Sequence, residues 1–292
     1  MSEMESFATY LELRESDAEG DVAAGLSHTA EGLVLFHVLE VAARGEPQGI
    51  VAIVHDAGDH GGRYEELAAV LAEEGWAVAL PDLRGHGKTE GDRGHSAGRK
   101  EVVRDLDEVL QHLAYRLVGA PKTLIGVGRG ALHALALCTD RPGLVDRMVL
   151  VAPELSPKQA LPEVKKGFLG KMLGRVGPQS EGALGRSPQE MTADSDMARA
   201  WSCDELVHDV VTLRAGEETA RLAQAADALL AGADIPVLVL LGGEDAVGAK
   251  EWPAAEETAG VEVKTYPAGR HHLFHDVARG EVIADLCAWL KG

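Results

Sequence analysis

The sequence is short of cysteine, of positive charge and of long apolar runs, and each shortage excludes something. Three cysteines occur among 292 residues. Cys138, Cys203 and Cys287 lie far apart without a C-x-x-C pair, which excludes a disulfide framework or a thiolate metal site and leaves them as small buried hydrophobes. Lys and Arg number 28 against 47 Asp and Glu, a formal charge of −19. An acidic surface of that strength repels phosphate backbones, so nucleic acid is excluded as a partner. No apolar run approaches the roughly 20 residues that span a bilayer. The opening MSEMESFATYLELRESDAEG is acidic and lacks the apolar stretch of a signal peptide. A soluble, cytoplasmic protein is the expectation. What is present is 46% hydrophobic content, enough at this length for a substantial core.

Strand and helix signals alternate along most of the chain. Weak alternation over residues 7–13 marks a first edge strand, and residues 32–41 a stronger one. Residues 49–55 form an unbroken apolar run, as expected of a strand buried on both faces of a parallel sheet. Helical spacing follows over 63–74, with Leu67, Val70 and Leu71 on one face. Then come a strand over 75–80 stopped by Pro81-Asp82, a glycine-rich loop over 83–98, and a helix over 99–117. A strand at 122–127, a helix at 129–139 and a strand at 146–152 complete the first half. This rhythm predicts βαβ units and a mainly parallel sheet. It breaks at Pro153 and resumes at 235–241, before a helix at 249–259, a strand at 261–266 and a helix at 276–290. One α/β core in two parts is therefore expected, residues 1–152 and 233–292. A helical lid over 153–232 would lie at the sheet's carboxyl edge, where open α/β sheets bind ligands.

The stretch that organises the rest is Thr123-Leu124-Ile125-Gly126-Val127-Gly128-Arg129-Gly130-Ala131-Leu132. Strand, sharp turn and helix in that order match the nucleophile elbow G-x-S-x-G, but Gly128 stands where the serine belongs. Glycine adopts the strained backbone of such a turn at little cost, so the turn survives while its attacking atom is lost.

Two loop motifs carry a family resemblance. His55-Asp56-Ala57-Gly58-Asp59-His60-Gly61-Gly62-Arg63-Tyr64 is similar to H-G-x-x-E-H-x-x-R-Y, and Pro81 to Gly91 is similar to D-x-R-G-H-G-x-S-x-G. With the elbow, they make the chain resemble the α/β-hydrolase superfamily over residues 32–290. Within it, the monoacylglycerol lipase and lysophospholipase (serine aminopeptidase-like) group is most similar. The resemblance implies an α/β-hydrolase fold: a mostly parallel central sheet flanked by helices, with a helical lid after the sixth strand. It implies Asp245, in Gly242-Gly243-Glu244-Asp245, as the acid, and His271, in Arg270-His271-His272, as the base that would take the serine proton. It also implies oxyanion-hole N–H groups from Ala57 and Arg129.

The departures from the family pattern gather where the chemistry would occur. Gly128 replaces serine, Val127 and Arg129 replace histidine and methionine, and Asp56 replaces the glycine after His55. A carboxylate beside the oxyanion hole opposes the negative charge of an acyl-transfer intermediate. Asp56 and Arg129 are expected to form an ion pair across the hole. The resemblance and its departures together point to an inactive or strongly impaired homologue that binds a small apolar or acyl ligand, or a partner. The alternative is an active ester hydrolase, or a serine-independent enzyme, using the His271–Asp245 pair. No cofactor is called for, and His271, His272, His275 and Asp276 lack the H-E-x-x-H spacing of a zinc site. His60, Arg63 and His86 match positions that hold loop structure in the family. Residues 158–175 carry Lys158, Lys165, Lys166, Lys171 and Arg175 beside apolar residues. They are read as a lid face packed on the core in preference to a membrane-surface helix, because Gly167, Gly170 and Gly174 weaken a long helix.

Overall fold

The computed structural model describes residues 6–14, 33–96, 98–164 and 177–292. Most of the basic stretch 158–175 lies outside them. The core is an eight-stranded sheet whose spatial order, by residue numbers, is 6–14, 33–41, 76–81, 49–54, 122–127, 147–151, 237–242 and 261–266. β1 (Ser6–Arg14) and β2 (Leu33–Val41) form an antiparallel edge, and β2 runs antiparallel to β4 (Trp76–Pro81). The remaining strands are parallel: β3 (Gly49–Val54), β5 (Lys122–Val127), β6 (Arg147–Val151), β10 (Val237–Gly242) and β11 (Val261–Tyr266). Every residue of β3 and β10 is buried, which explains why they read as unbroken apolar runs rather than as alternations.

Helices cover both faces. α1 (Glu65–Glu73) shares one core cluster with the closing helix, through Leu67 and Leu71 on one side and Val282, Leu286 and Leu290 on the other. The buried face of α1 is Leu67, Ala68, Leu71 and Ala72, whereas Val70, expected inside, is 40% exposed. On the opposite face α2 (Arg99–Arg116) and α3 (Arg129–Asp140) pack together with a later helix, Leu213–Ala231.

Between β6 and β10 the chain leaves the sheet. It forms a small antiparallel sheet of β7 (Glu163–Val164), β8 (Glu181–Ala183) and β9 (Val210–Thr212). Helices α4 (Pro188–Met191) and α5 (Ser195–Cys203) lie between β8 and β9. This stretch is thus part sheet, not wholly helical as its sequence suggested. α6 (Leu213–Ala231) follows and places Leu222, Ala226, Leu229 and Leu230 in the core cluster around α3. α7 (Pro253–Glu257) is shorter than expected, and α8 (Arg279–Lys291) closes the chain. Cys138 and Cys287 are buried, but Cys203 is exposed, because α5 buries none of its residues.

Candidate functional site

The elbow explains its three glycines one at a time. A Cβ on Gly126 would lie 2.6 Å from the Ala131 Cα, and one on Gly130 would lie 2.3 Å from the Val54 carbonyl oxygen, so both are fixed by close packing. Gly128 differs, because its backbone sits at φ 56 and ψ −117, where L side chains are strained. A Cβ there would lie 2.2 Å from the Asp56 Cγ. The carboxylate of Asp56 fills the space into which a side chain at position 128 would project.

Four donors from separate loops converge on that carboxylate. The Ala57 N–H (2.7 Å) and the Arg129 N–H (2.8 Å) both donate to Oδ1. These are the two groups expected to form the oxyanion hole. On Oδ2 the His271 Nε2 stands at 3.0 Å and the Arg186 Nη1 at 2.5 Å. His271 Nδ1 meets Asp245 Oδ2 at 2.9 Å, and the Val247 and Gly248 N–H groups hold Asp245 Oδ1 from the turn after β10. The loops after β3, β5, β10 and β11 therefore bring Asp56, Ala57, Gly128, Arg129, Asp245 and His271 to one point.

The expected Asp56–Arg129 ion pair is not formed. Arg129 gives Asp56 only its backbone N–H, while its guanidinium Nε donates to Glu154 Oε2 at 3.0 Å. The reason is the direction of α3: its first N–H points at the hole, and the Arg129 side chain runs back toward the end of β6. Arg186 supplies the missing cation, with Nη1 on Asp56 and Nη2 on Glu154. Glu154 and Arg186 were not singled out in the sequence. Glu154 carried a usable signal, standing just beyond the end of β6 on the sheet's carboxyl edge, after a turn at Ala152 with φ 47. Arg186 carried none, since it reaches Asp56 across 130 residues from an irregular segment.

Three carboxylates (Asp56, Glu154, Asp245) face three bases (Arg129, Arg186, His271), and all six are at least 94% buried at the side chain where ion pairs join them. Burial alone would raise the Asp56 carboxyl. The Arg186 charge, the hydrogen bond and charge of His271 and the Arg129 N–H outweigh it and hold Asp56 well below the usual carboxylate range. Burial would lower His271, but the charge and hydrogen bond of Asp245, then those of Asp56, raise it to about 10. Asp245 is lowered against its burial, chiefly by His271. At neutral pH His271 is thus an imidazolium donating from both nitrogens, and the cluster is electrically neutral.

Asp56, Glu154 and His271 also place three ligand-type atoms within 4.8 Å of one another, a spacing that could hold a metal ion. The cation between the two carboxylates is the Arg186 guanidinium. In the histidine loop, Asp276 accepts from the Arg270 and Ala193 N–H groups, and His275 Nε2 bonds the Arg63 carbonyl, so both hold loops together. His60 pairs with Asp204, Arg63 with Asp59, and His86 Nδ1 donates to the Arg84 carbonyl. His55 ties two loops, donating to the Asp56 carbonyl and accepting from the Leu83 N–H. A cavity of about 40 Å³ adjoins the cluster, walled by His55, Ala57, His86, Arg129, His133 and Val210.

A mostly parallel sheet with a strand–glycine–helix elbow and acid and histidine loops beyond it defines an α/β-hydrolase. The chain matches the family described as serine aminopeptidase, S33, over residues 45–278, and belongs to it. It is 26% identical over 251 residues to a monoglyceride lipase homolog of monkeypox virus, covering 84% of this chain and 90% of that one. A monoacylglycerol lipase of Mycolicibacterium smegmatis is 26% identical over 251 residues, covering 84% and 89%. Among solved structures, the monoacylglycerol lipase of Paleococcus ferrophilus matches with a TM-score of 0.74 and 26% identity, covering 87% of this chain and 98% of that one. None of the described helices is long and apolar enough to cross a membrane.

Proposed function

We propose that this chain is a non-hydrolysing homologue of the monoacylglycerol lipases, its acyl-transfer site closed by a neutral ionic cluster. One observation carries the reading: the Asp56 carboxylate occupies the place of the nucleophile's side chain and takes both oxyanion-hole N–H groups. An ester carbonyl then finds neither an attacking atom nor free donors for its developing oxyanion. The alternative, water activated by the His271–Asp245 pair, requires a neutral imidazole. His271, raised to about 10 with both nitrogens engaged, does not supply one at neutral pH. The segment expected as a lid, residues 153–232, acts as one in this reading, and Arg186 is its contact with Asp56. An apolar or acyl ligand enters only when that segment moves, because a cavity of about 40 Å³ holds roughly three water molecules and no acyl chain.

The test is turnover of p-nitrophenyl esters and monoacylglycerols by the wild type, Gly128→Ser, His271→Ala and the double variant Asp56→Gly/Gly128→Ser. No turnover is expected from the first three. The double variant, which frees the oxyanion hole and supplies a hydroxyl beside His271, is expected to gain it. Wild-type turnover that disappears in His271→Ala would sink the proposal.

A further inference from the structure

The donors around Asp56 form a receptor, and its present occupant is part of the chain. Each carboxylate oxygen has two donors: Oδ1 takes two backbone N–H groups, Oδ2 an imidazole and a guanidinium. Both backbone donors are set by structure that does not depend on the Asp56 side chain. The Arg129 N–H is aimed by the elbow, which the close contacts at Gly126 and Gly130 hold in place. The Ala57 N–H is fixed by its loop, which His55 ties to Leu83 and which accepts the His208 N–H at the Gly58 carbonyl.

Charge sets what the receptor takes. Without Asp56, Arg129 and Arg186 still face Glu154 and His271 still faces Asp245, so the hole keeps two backbone N–H groups, a guanidinium and an imidazole with no carboxylate among them. One negative charge, arriving with a proton on His271, restores the balance of the closed cluster. Two donors on each of two oxygens suit a planar carboxylate better than a spherical halide or a tetrahedral dianion. The side chain of Asp56 is itself a CH2–COO⁻ group, the size of acetate, and a glycine at position 56 would leave that volume open.

We infer that the elbow, the 55–58 loop, His271 and Arg186 form a binding site for a small monocarboxylate, and that Asp56 is its tethered ligand. The inference rests on the reading of the cluster as a closed acyl site. Tethering explains the closure: an attached carboxylate acts at an effective concentration that free acids do not reach, so the native chain excludes them. Withdrawal of Asp56 from the hole would convert the closed cluster into an open carboxylate site.

The experiment uses the full chain with Asp56→Gly, titrated with sodium acetate and followed by thermal unfolding and calorimetry, with sodium chloride at equal ionic strength as control. Acetate should raise the unfolding midpoint saturably and give a binding isotherm, while chloride should not. The wild type should be indifferent to both. Adding Arg186→Leu to Asp56→Gly should weaken acetate binding at least tenfold. If Asp56→Gly does not fold unaided, refolding in acetate should recover it where refolding in chloride does not. Equal response to acetate and chloride, no response, or no recovery in acetate would overturn the inference. These outcomes are independent of ester turnover by the wild type, so failure here is separable from failure of the functional reading.

Discussion

Histidine behaves in opposite ways in this protein according to its partners: burial lowers His272, while its neighbour His271 is raised. Asp245 and Asp56 both face His271, and between them they hold a histidine charged that burial alone would discharge. The sign of the resulting pH dependence follows. The folded value of His271, about 10, lies above its unfolded value near 6.5. Its contribution to stability is therefore complete below about pH 6.5 and is lost as pH rises through 10, where the folded state surrenders the proton that the unfolded state released earlier. Between pH 7 and 9 the unfolding free energy of the wild type should fall by about 1.4 kcal/mol per pH unit relative to His271→Asn. Urea unfolding at four pH values checks this, and parallel curves for the two proteins would refute it. Asp56 has the reverse sign: its folded value is depressed, so its contribution is present above about pH 4 and lost in acid.

At the scale of the element, the turn from β5 to α3 is built for a residue with no side chain, on two independent counts. The backbone of Gly128, at φ 56 and ψ −117, costs an L residue roughly 1–3 kcal/mol. The Cβ would also have to displace the Asp56 carboxylate, and breaking a buried ionic network typically costs about 3–5 kcal/mol. Gly128→Ala should then destabilise the fold by about 4 kcal/mol or more, measured by chemical denaturation. In Asp56→Gly/Gly128→Ala the clash is absent, so the two costs should be strongly non-additive, the double variant losing less than the sum of the singles. Additive losses would show that the two positions do not compete for space. This scale also separates what the sequence disclosed from what it withheld. β3, β5, β10 and β11 were legible within a residue or two because apolar runs and breakers are local signals. Asp245 and His271 were legible because loop motifs in a fixed order say which strand ends meet. The direction of the Arg129 side chain was not legible, since a residue can offer its N–H to one partner and its guanidinium to another. Nor was the small sheet β7-β8-β9, whose strands of two or three residues are too short for a period to register.

The whole molecule sets a surface of strong negative charge around a neutral ionic centre, and the segment between β6 and β10 bridges the two. Several ties fasten that segment to the core: His208 N–H to the Gly58 carbonyl at 2.9 Å, Thr212 N–H to the Gly94 carbonyl at 3.0 Å, and His60 to Asp204 at 2.9 Å. Glu154 and Arg186, both of that segment, enter the centre, and Arg186 pairs with Asp56 and Glu154 at once. Arg186→Leu removes a cation from between two buried carboxylates, and should cost about 3–5 kcal/mol because both are left undercompensated. The loss should appear first as local opening rather than global unfolding, since Arg186 lies on an irregular stretch between β8 and α4 and the other ties of the segment are at separate points. Limited proteolysis should therefore cut residues 177–212 of Arg186→Leu faster than those of the wild type, at temperatures where the core stays folded. Salt distinguishes this from a general surface effect. Exposed charges are screened at 0.5 M NaCl, whereas a buried cluster is screened far less, so the difference between the two proteins should persist in salt. Adding Asp56→Asn to Arg186→Leu removes one of the stranded charges and should restore part of the protection. Equal cleavage of Arg186→Leu and the wild type would mean that the segment is held by its other ties, and that Arg186 contributes nothing to keeping the site closed.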